Sequence, residues 1–180
     1  MRHDADVEHS ATQQVAPESA PPSPSGKGAS APSLVIGFGN PLRQDDGFGW
    51  RVAEQLLANG EPSGAEVVAC QQLTPELAEP LSRAHVVIFV DVRVGEPVGL
   101  LECEEIPLDE RPPSASVHNL TPSALLALTK ALYGAVPERV YLLTARSVHF
   151  AHADALSPAL QMVVPEAVLR IRQLSKRSRM

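Results

Sequence analysis

The first half of this 180-residue chain alternates between short apolar runs and segments whose apolar residues recur at helical spacing. The runs at 34–36 and 85–90 are typical of strands buried on both faces, and residues 66–73 predict a further strand between them. Residues 47–58 predict a helix, and Thr74-Pro75 opens a second one. This β-α-β-α-β order predicts a parallel sheet with helices on both faces, because short crossover connections are right-handed.

The pattern changes after Asp91. Only residues 92–97 separate that strand from the next apolar segment at 98–106. This connection is too short for a crossover helix, so 98–106 is predicted to run antiparallel. Downstream, the sequence predicts a helix after Thr121-Pro122 and a last strand over 139–145.

The final helix is predicted to begin at Ser157-Pro158, with a break or two abutting helices at Pro165, because proline lacks the amide proton that a helix interior uses. Together these elements predict an α/β fold: a three-layer α/β/α sandwich around a mixed, mostly parallel sheet of about five strands with one antiparallel strand.

The domain is expected to span residues 34–174. Residues 1–33 are rich in Pro, Ser and Ala and bury too little apolar area to offset their ordering entropy, so they predict a disordered extension. Residues 175–180 form a short basic tail.

A formal net charge of −6 narrows the range of partners. An acidic protein repels polyanions, so neither nucleic acid nor a membrane is an expected partner. No stretch approaches the roughly 18 uninterrupted apolar residues of a membrane span. Cys70 and Cys103 form no CxxC pair and suit neither a zinc ribbon nor a disulfide scaffold, which favours a cytoplasmic location.

Three polar residues are predicted to meet at the carboxyl edge of the parallel strands, where ligands gather in open α/β sheets. Asp46 lies in the loop after the first strand, and Asp91 ends the third. His118 precedes the helix that feeds the last parallel strand, so that helix must begin at the same edge. A buried strand-end carboxylate without a partner is costly, which favours convergence of the three residues.

Two chemistries suit such a set. Two carboxylates and an imidazole are suitable ligands for a borderline divalent ion such as Ni²⁺ or Zn²⁺, and they can also act as general acid and base around a water. Taken singly, each residue has an ordinary structural role as well. Asp45 or Asp46 could cap a helix, Asp91 could accept backbone amides, and His118 could be a loop histidine.

The glycines around the first loop raise two further possibilities, a nucleotide-binding loop and a docking surface. Gly37-Phe38-Gly39 lies between a strand and a helix, as in dinucleotide-binding fingerprints, but Leu42 occupies the third glycine position and two acids precede the helix. No nucleotide cofactor is therefore expected. Gly47 and Gly49 bracket a helix start where small residues allow another chain's backbone to approach, which predicts a docking surface for a substrate.

Residues 34–54 resemble the N-terminal signature of the nickel-iron hydrogenase maturation proteases, G-N-x-L-x-x-D-[D/E]-G-x-G. They read L-V-I-G-F-G-N-P-L-R-Q-D-D-G-F-G-W-R-V-A-E. The resemblance covers nearly all of residues 34–172 and continues through Val90-Asp91, Ser116-Val117-His118 and Leu156-Ser157-Pro158. The first motif is long and specific, and the others gain weight from their order along the chain.

The resemblance implies an endopeptidase that removes a short C-terminal extension from the hydrogenase large-subunit precursor after nickel insertion. Nickel would then be carried by the substrate and recognised there. The family's metal-contacting positions correspond to Asp46, Asp91 and His118, which makes these the expected catalytic and metal-binding residues. Asp45 is expected to orient the loop. A non-proteolytic assembly factor that binds nickel or the precursor on the same fold is the alternative.

Overall fold

The computed structural model describes residues 32–60, 62, 64–108 and 120–176, so nearly all of the predicted extension lies outside the described residues. One mixed sheet contains β1 (Ser33–Phe38), β2 (Ala65–Cys70), β3 (Val86–Val94), β4 (Leu101–Glu105) and β5 (Arg139–Ser147). The order across the sheet is β2-β1-β3-β5-β4, and every pair is parallel except β4 with β5. The predicted sheet of five mostly parallel strands is confirmed.

Helices cover both faces of this sheet. The helices of the described residues are α1 (Phe48–Ala58), α2 (Ala78–Arg83), α3 (Pro122–Tyr133) and α4 (Pro158–Lys176). Successive strand residues face opposite layers, so the sheet has two cores, one under α1 and α4 and the other under α2 and α3. None of these helices combines the length and apolarity that crossing a membrane requires.

Helix ends follow the predicted signals in α3. The Thr121 hydroxyl accepts a hydrogen bond from the Ala124 amide at 3.2 Å, and Pro122 occupies the first turn. Gly134 ends the helix with a φ of 66°, a left-handed conformation that glycine adopts without strain. These caps fix the two ends of α3 along the chain. Because α3 leads into the parallel strand β5, it begins at the carboxyl edge of the parallel strands, which is where the candidate site lies.

Strand β3 extends further than the sequence pattern indicates. β1 pairs with residues 86–90 only, whereas β5 pairs with β3 through Val94. The predicted end of this strand at Asp91 is therefore wrong by three residues, because hydrogen bonds to β5 continue the ladder. Asp91 is the first residue of β3 beyond its β1 partner, so it borders the space left where β1 has turned away.

Helix α4 corrects a second prediction. It continues through Pro165 without a break and ends at Lys176, two residues beyond the predicted domain end. Pro165 is exposed, while Leu160 and Val164 before it and Ala167 after it pack into the same core. Burial of this continuous apolar face stabilises the helix on both sides of the proline and outweighs one lost hydrogen bond.

Helix α1 begins in direct contact with strand backbone. A Cβ atom on Gly49 would lie 2.0 Å from the Val90 carbonyl oxygen, and one on Gly37 would lie 2.0 Å from the Gly49 carbonyl oxygen. Both Gly47 and Gly49 are buried. The backbone that approaches them is the chain's own, so the structure uses these glycines inside the domain rather than on the docking surface that the sequence suggested.

We expect Gly49→Ala to destabilise the fold by about 3 kcal/mol or more, because the added methyl group overlaps backbone atoms that cannot move independently. Gly60→Ala is the matched control. Its φ of 81° strains an alanine by roughly 1–2 kcal/mol, but no atom lies within 4 Å of the added Cβ. Urea unfolding measures both free energies, and a Gly49→Ala loss no larger than the control's would contradict the packing described here.

Candidate active site

A polar cleft opens at the carboxyl edge of the sheet, between the ends of β1 and β3. The connections from these two neighbouring strands leave in opposite directions, and such a switch point is the usual ligand site of open α/β sheets. The cleft encloses about 430 Å³. It is lined by Phe38, Gly39, Asn40, Arg43, Asp46, Gln71, Gln72, Leu73, Asp91 and Leu120.

Asp46 is held in the cleft by its own loop. It lies in a 3-10 turn over Gln44–Gly47 that precedes α1, and its carboxylate accepts the Asn40 amide at 3.1 Å. Gly39, at a φ of 131°, runs so close to this turn that a Cβ would lie 1.8 Å from the Asp46 carbonyl oxygen. Glycine is therefore required there for the turn to fold back over the strand end.

Asp91 enters the cleft from β3 and, like Asp46, is half-buried. Burial raises its pKa to about 7. The hydrogen bond from the Val92 amide, at 2.8 Å, lowers this pKa, the negative charge of Asp46 raises it, and Arg93 lowers it. Burial is the largest of these causes, so nearby positive charge does not compensate for the loss of solvent around the ionised form of Asp91.

The third predicted member, His118, lies outside the described residues. Leu120, two positions later in the sequence, lines the cleft beside Asp46 and Asp91. Within the described part of the chain, no three His, Cys, Asp or Glu side chains lie close enough together to hold a metal ion. The carboxylate pair thus supplies two oxygen donors, and a complete metal site needs a further ligand from His118 or from a bound substrate.

Asp45 faces away from the cleft and is fully buried. Its carboxylate accepts the Ser147 hydroxyl at 2.5 Å, the Ser157 amide at 2.6 Å and the Ser157 hydroxyl at 2.7 Å. These bonds join the β1 loop to the end of β5 and the start of α4. Because Asp45 directly precedes Asp46, they fix the position from which the Asp46 side chain leaves the backbone.

A second loop supports the same turn from outside. The Gln44 amide donates to the Ala153 carbonyl at 2.8 Å, and the Ala153 amide donates to the Leu42 carbonyl at 3.1 Å. The Asp45 amide also donates to the His149 carbonyl at 3.3 Å. The loop that carries Asp46 is consequently held from both sides before any ligand binds.

Sequence reasoning did not single out several residues that line the cleft. Arg43, Gln71 and Gln72 are exposed and polar, and such residues carry no periodic signal that would separate them from an ordinary loop. The available signal was position: Gln71 and Gln72 directly follow β2 at the carboxyl edge, and Arg43 lies in the loop that follows β1. Applying the strand-end rule to every parallel strand would have included them.

Comparison with known proteins places this fold. Neither a protein-family model nor a curated protein matches the chain by sequence. Among solved structures, the hydrogenase maturating endopeptidase HybD from E. coli superposes with a TM-score of 0.67 at 20% sequence identity, covering 82% of this chain and 94% of that chain.

Two archaeal structures are similar to the chain in the same way. The hydrogenase 2 maturation peptidase of Thaumarchaeota archaeon SCGC_AB-539-E09 has a TM-score of 0.61 and 24% identity, over 79% of this chain and 96% of that chain. The [NiFe] hydrogenase maturation protease HycI of Thermococcus kodakarensis KOD1 has a TM-score of 0.63 and 20% identity, over 81% and 93%. The described domain therefore has the fold of the hydrogenase maturation endopeptidases, over nearly their whole length.

Proposed function

We propose that this protein is an endopeptidase that removes the C-terminal extension of a nickel-iron hydrogenase large-subunit precursor after nickel insertion. The observation that carries the proposal is the carboxylate pair Asp46 and Asp91, which lines a cleft at the switch point of a hydrogenase maturation endopeptidase fold. The signature G-N-x-L-x-x-D-D-G-x-G within residues 34–54 supports the same assignment, because it forms one wall of that cleft.

Nickel enters this proposal as cargo of the substrate. Asp46, Asp91 and His118 are the residues that would contact it, and oxygen and imidazole donors suit a borderline divalent ion. The electrostatics of the pair favour a cation, because Asp91 is buried next to a second carboxylate and its pKa is raised by both effects. Binding a precursor that already carries nickel would supply the missing positive charge, so the cleft would select the nickel-loaded precursor over the nickel-free one.

The carboxylates also provide the hydrolytic chemistry of an aspartic-type endopeptidase. Once the precursor is anchored, the scissile peptide lies beside the pair, and one carboxylate accepts a proton from a water molecule as the water oxygen attacks the peptide carbonyl carbon. The C–N bond then breaks, and the leaving amine takes up the proton. The sheet and the fixed β1 loop hold both carboxylates in place during these steps.

We assign the cytoplasm as the compartment of this reaction. Cys70 and Cys103 are both unpaired, and burial raises the pKa of each thiol, which keeps them in the protonated form. The negative formal charge and the polar cleft favour a protein substrate over nucleic acid.

Mass spectrometry of the cognate large-subunit precursor, incubated with this protein with and without nickel, tests the proposal. We expect loss of one discrete C-terminal peptide from the nickel-loaded precursor only. Cleavage independent of nickel would keep the protease and remove nickel recognition. A precursor that stays intact but co-purifies with this protein would replace the protease with a non-proteolytic assembly factor.

Asp46→Asn and Asp91→Asn are each expected to lower the cleavage rate at least 100-fold, because an amide neither accepts the water proton nor neutralises a cation. His118→Ala is expected to have a similar effect. Asp154→Asn is the matched control, since Asp154 is exposed and lies outside the cleft. Cleavage time courses on nickel-loaded precursor give the rates, and wild-type rates in all three variants would refute the site assignment.

The raised pKa of Asp91 also predicts how stability depends on pH. In the folded protein this carboxyl keeps its proton up to about pH 7, whereas its ordinary pKa is 3.8. Folding therefore binds a proton between these values, and the free energy of unfolding falls as pH rises through this window. Relative to Asp91→Asn, the metal-free wild-type protein should lose about 3 kcal/mol between pH 5 and pH 8.

Urea unfolding in the presence of a chelator, at pH 5 and pH 8, measures this difference. The Asn variant keeps an oxygen that can accept the Val92 amide and carries no ionisable group at this position. Subtracting its pH profile removes the contribution of the other carboxyl groups, which the two proteins share. Parallel profiles for the two proteins would show that Asp91 titrates in its ordinary range.

A further inference from the structure

Most arginines near the carboxyl edge are tied to the protein itself. Arg51 pairs with Glu54 and also donates to the Asp154 carbonyl, Arg93 pairs with Glu104, and Arg146 pairs with Glu102 through two hydrogen bonds. Their charges are thereby largely neutralised where they stand.

Arg43 differs from these arginines. It lines the cleft together with Asp46 and Asp91, its side chain is exposed, and it forms no ion pair or side-chain hydrogen bond with any residue between 32 and 176 that the structure describes. Among the described residues that line the cleft, it is the only Lys or Arg. Its guanidinium group is therefore an uncommitted positive charge in a site whose other charges are negative.

The backbone of Arg43, in contrast, is firmly held. Its amide donates to the Asn40 carbonyl at 3.0 Å, and its own carbonyl accepts the Asp46 amide at 3.1 Å. It also forms a parallel bridge with Ala153. Arg43 and Asp46 thus belong to one rigid turn, so the guanidinium group starts from a fixed point three residues before a candidate catalytic carboxylate.

We propose that Arg43 stabilises the negative oxygen that forms when the scissile peptide is attacked. This inference rests on the proposed endopeptidase function. When the water oxygen bonds to the carbonyl carbon, a carboxylate of the cleft takes the water proton and the carbonyl π electrons move onto oxygen. Arg43 donates hydrogen bonds to that oxyanion, which reverts to a carbonyl when the C–N bond breaks and the amine takes up the proton.

Among the described residues that line the cleft, no side chain other than Arg43 brings a positive charge to the oxyanion. Carboxylates accept protons but repel a developing oxyanion, and the carboxamides of Gln71 and Gln72 are neutral donors. A guanidinium group carries full charge and directs several N–H bonds from one plane. Docking of a folded precursor over the cleft would exclude water, and the interaction of Arg43 with the oxyanion would strengthen accordingly.

Single-turnover cleavage of nickel-loaded precursor at rising concentrations of the processing protein tests the role of Arg43. It separates the maximal cleavage rate from the concentration at half-saturation. We expect Arg43→Ala to lower the maximal rate about 100- to 1,000-fold, as for loss of one oxyanion donor, with little change in half-saturation. Added guanidinium ion should restore part of that rate, and Arg43→Lys should retain more activity than Arg43→Ala.

Arg83→Ala is the matched control for loss of an exposed arginine, because Arg83 is exposed, ends α2 and does not line the cleft. It should cleave at the wild-type rate. Urea unfolding of each variant checks the fold. If Arg43→Ala proves unfolded, the rate of folded Arg43→Gln decides, since glutamine keeps a polar side chain without the charge.

A wild-type maximal rate in Arg43→Ala would overturn the proposal. A change confined to half-saturation would also overturn it, because Arg43 would then bind a ground-state group such as a substrate carboxylate. Failure of the wild-type protein to cleave the precursor would instead refute the endopeptidase function, and with it this role. The wild-type reaction therefore distinguishes failure of the endopeptidase function from failure of the role of Arg43.

Discussion

The arrangement of the carboxyl edge depends on one buried carboxylate, Asp45. It has no basic partner among the described residues, and its charge is compensated by three short hydrogen bonds from Ser147 and Ser157. One of the donors is a backbone amide at the start of α4, where the helix dipole favours negative charge. Loss of a buried charged acceptor would leave these donors unsatisfied and would release three segments of the chain at once.

Asp45 and Asp46 are neighbours with opposite tasks. The Asp45 carboxylate accepts hydrogen bonds from Ser147 and Ser157, and these bonds make the turn rigid. Asp46 and Asp91 form an incomplete electrostatic arrangement, in which burial and like charge raise the pKa of Asp91. A protein that tolerates such a pair gives up stability at neutral pH, and a cation delivered by the proposed substrate would recover it on binding.

The sequence pattern was sufficient to predict most of the fold, because buried strands and capped helices carry strong periodic signals. Asp91 could be located from the apolar run that precedes it, and Asp46 from the loop motif after β1. The pattern failed where long-range contacts decide the outcome. Pairing with β5 extends β3 beyond Asp91, and core burial on both sides carries α4 through Pro165.

The candidate site was predictable in part for the same reason. A strand-end carboxylate is an unusual residue in an apolar context and is therefore visible in a sequence. Arg43, Gln71 and Gln72 are ordinary residues for exposed loops, so only the folded topology brings them to one cleft. The contacts of Gly37 and Gly49 also join segments that are distant in sequence. In the sequence alone, glycines at a buried helix start look the same as glycines on an exposed docking surface.

The close backbone contacts at Gly37, Gly39 and Gly49 have a consequence for how the segment tolerates mutation. Every amino acid other than glycine carries a Cβ atom, so any missense change at these positions meets backbone and reduces the amount of folded protein. A change such as Asp46→Asn, in the same segment, leaves these glycine contacts in place and removes the ionised carboxylate from the cleft. Variants in this short region thus divide into two phenotypes that abundance and turnover measurements would separate, although all four positions lie within residues 37–49.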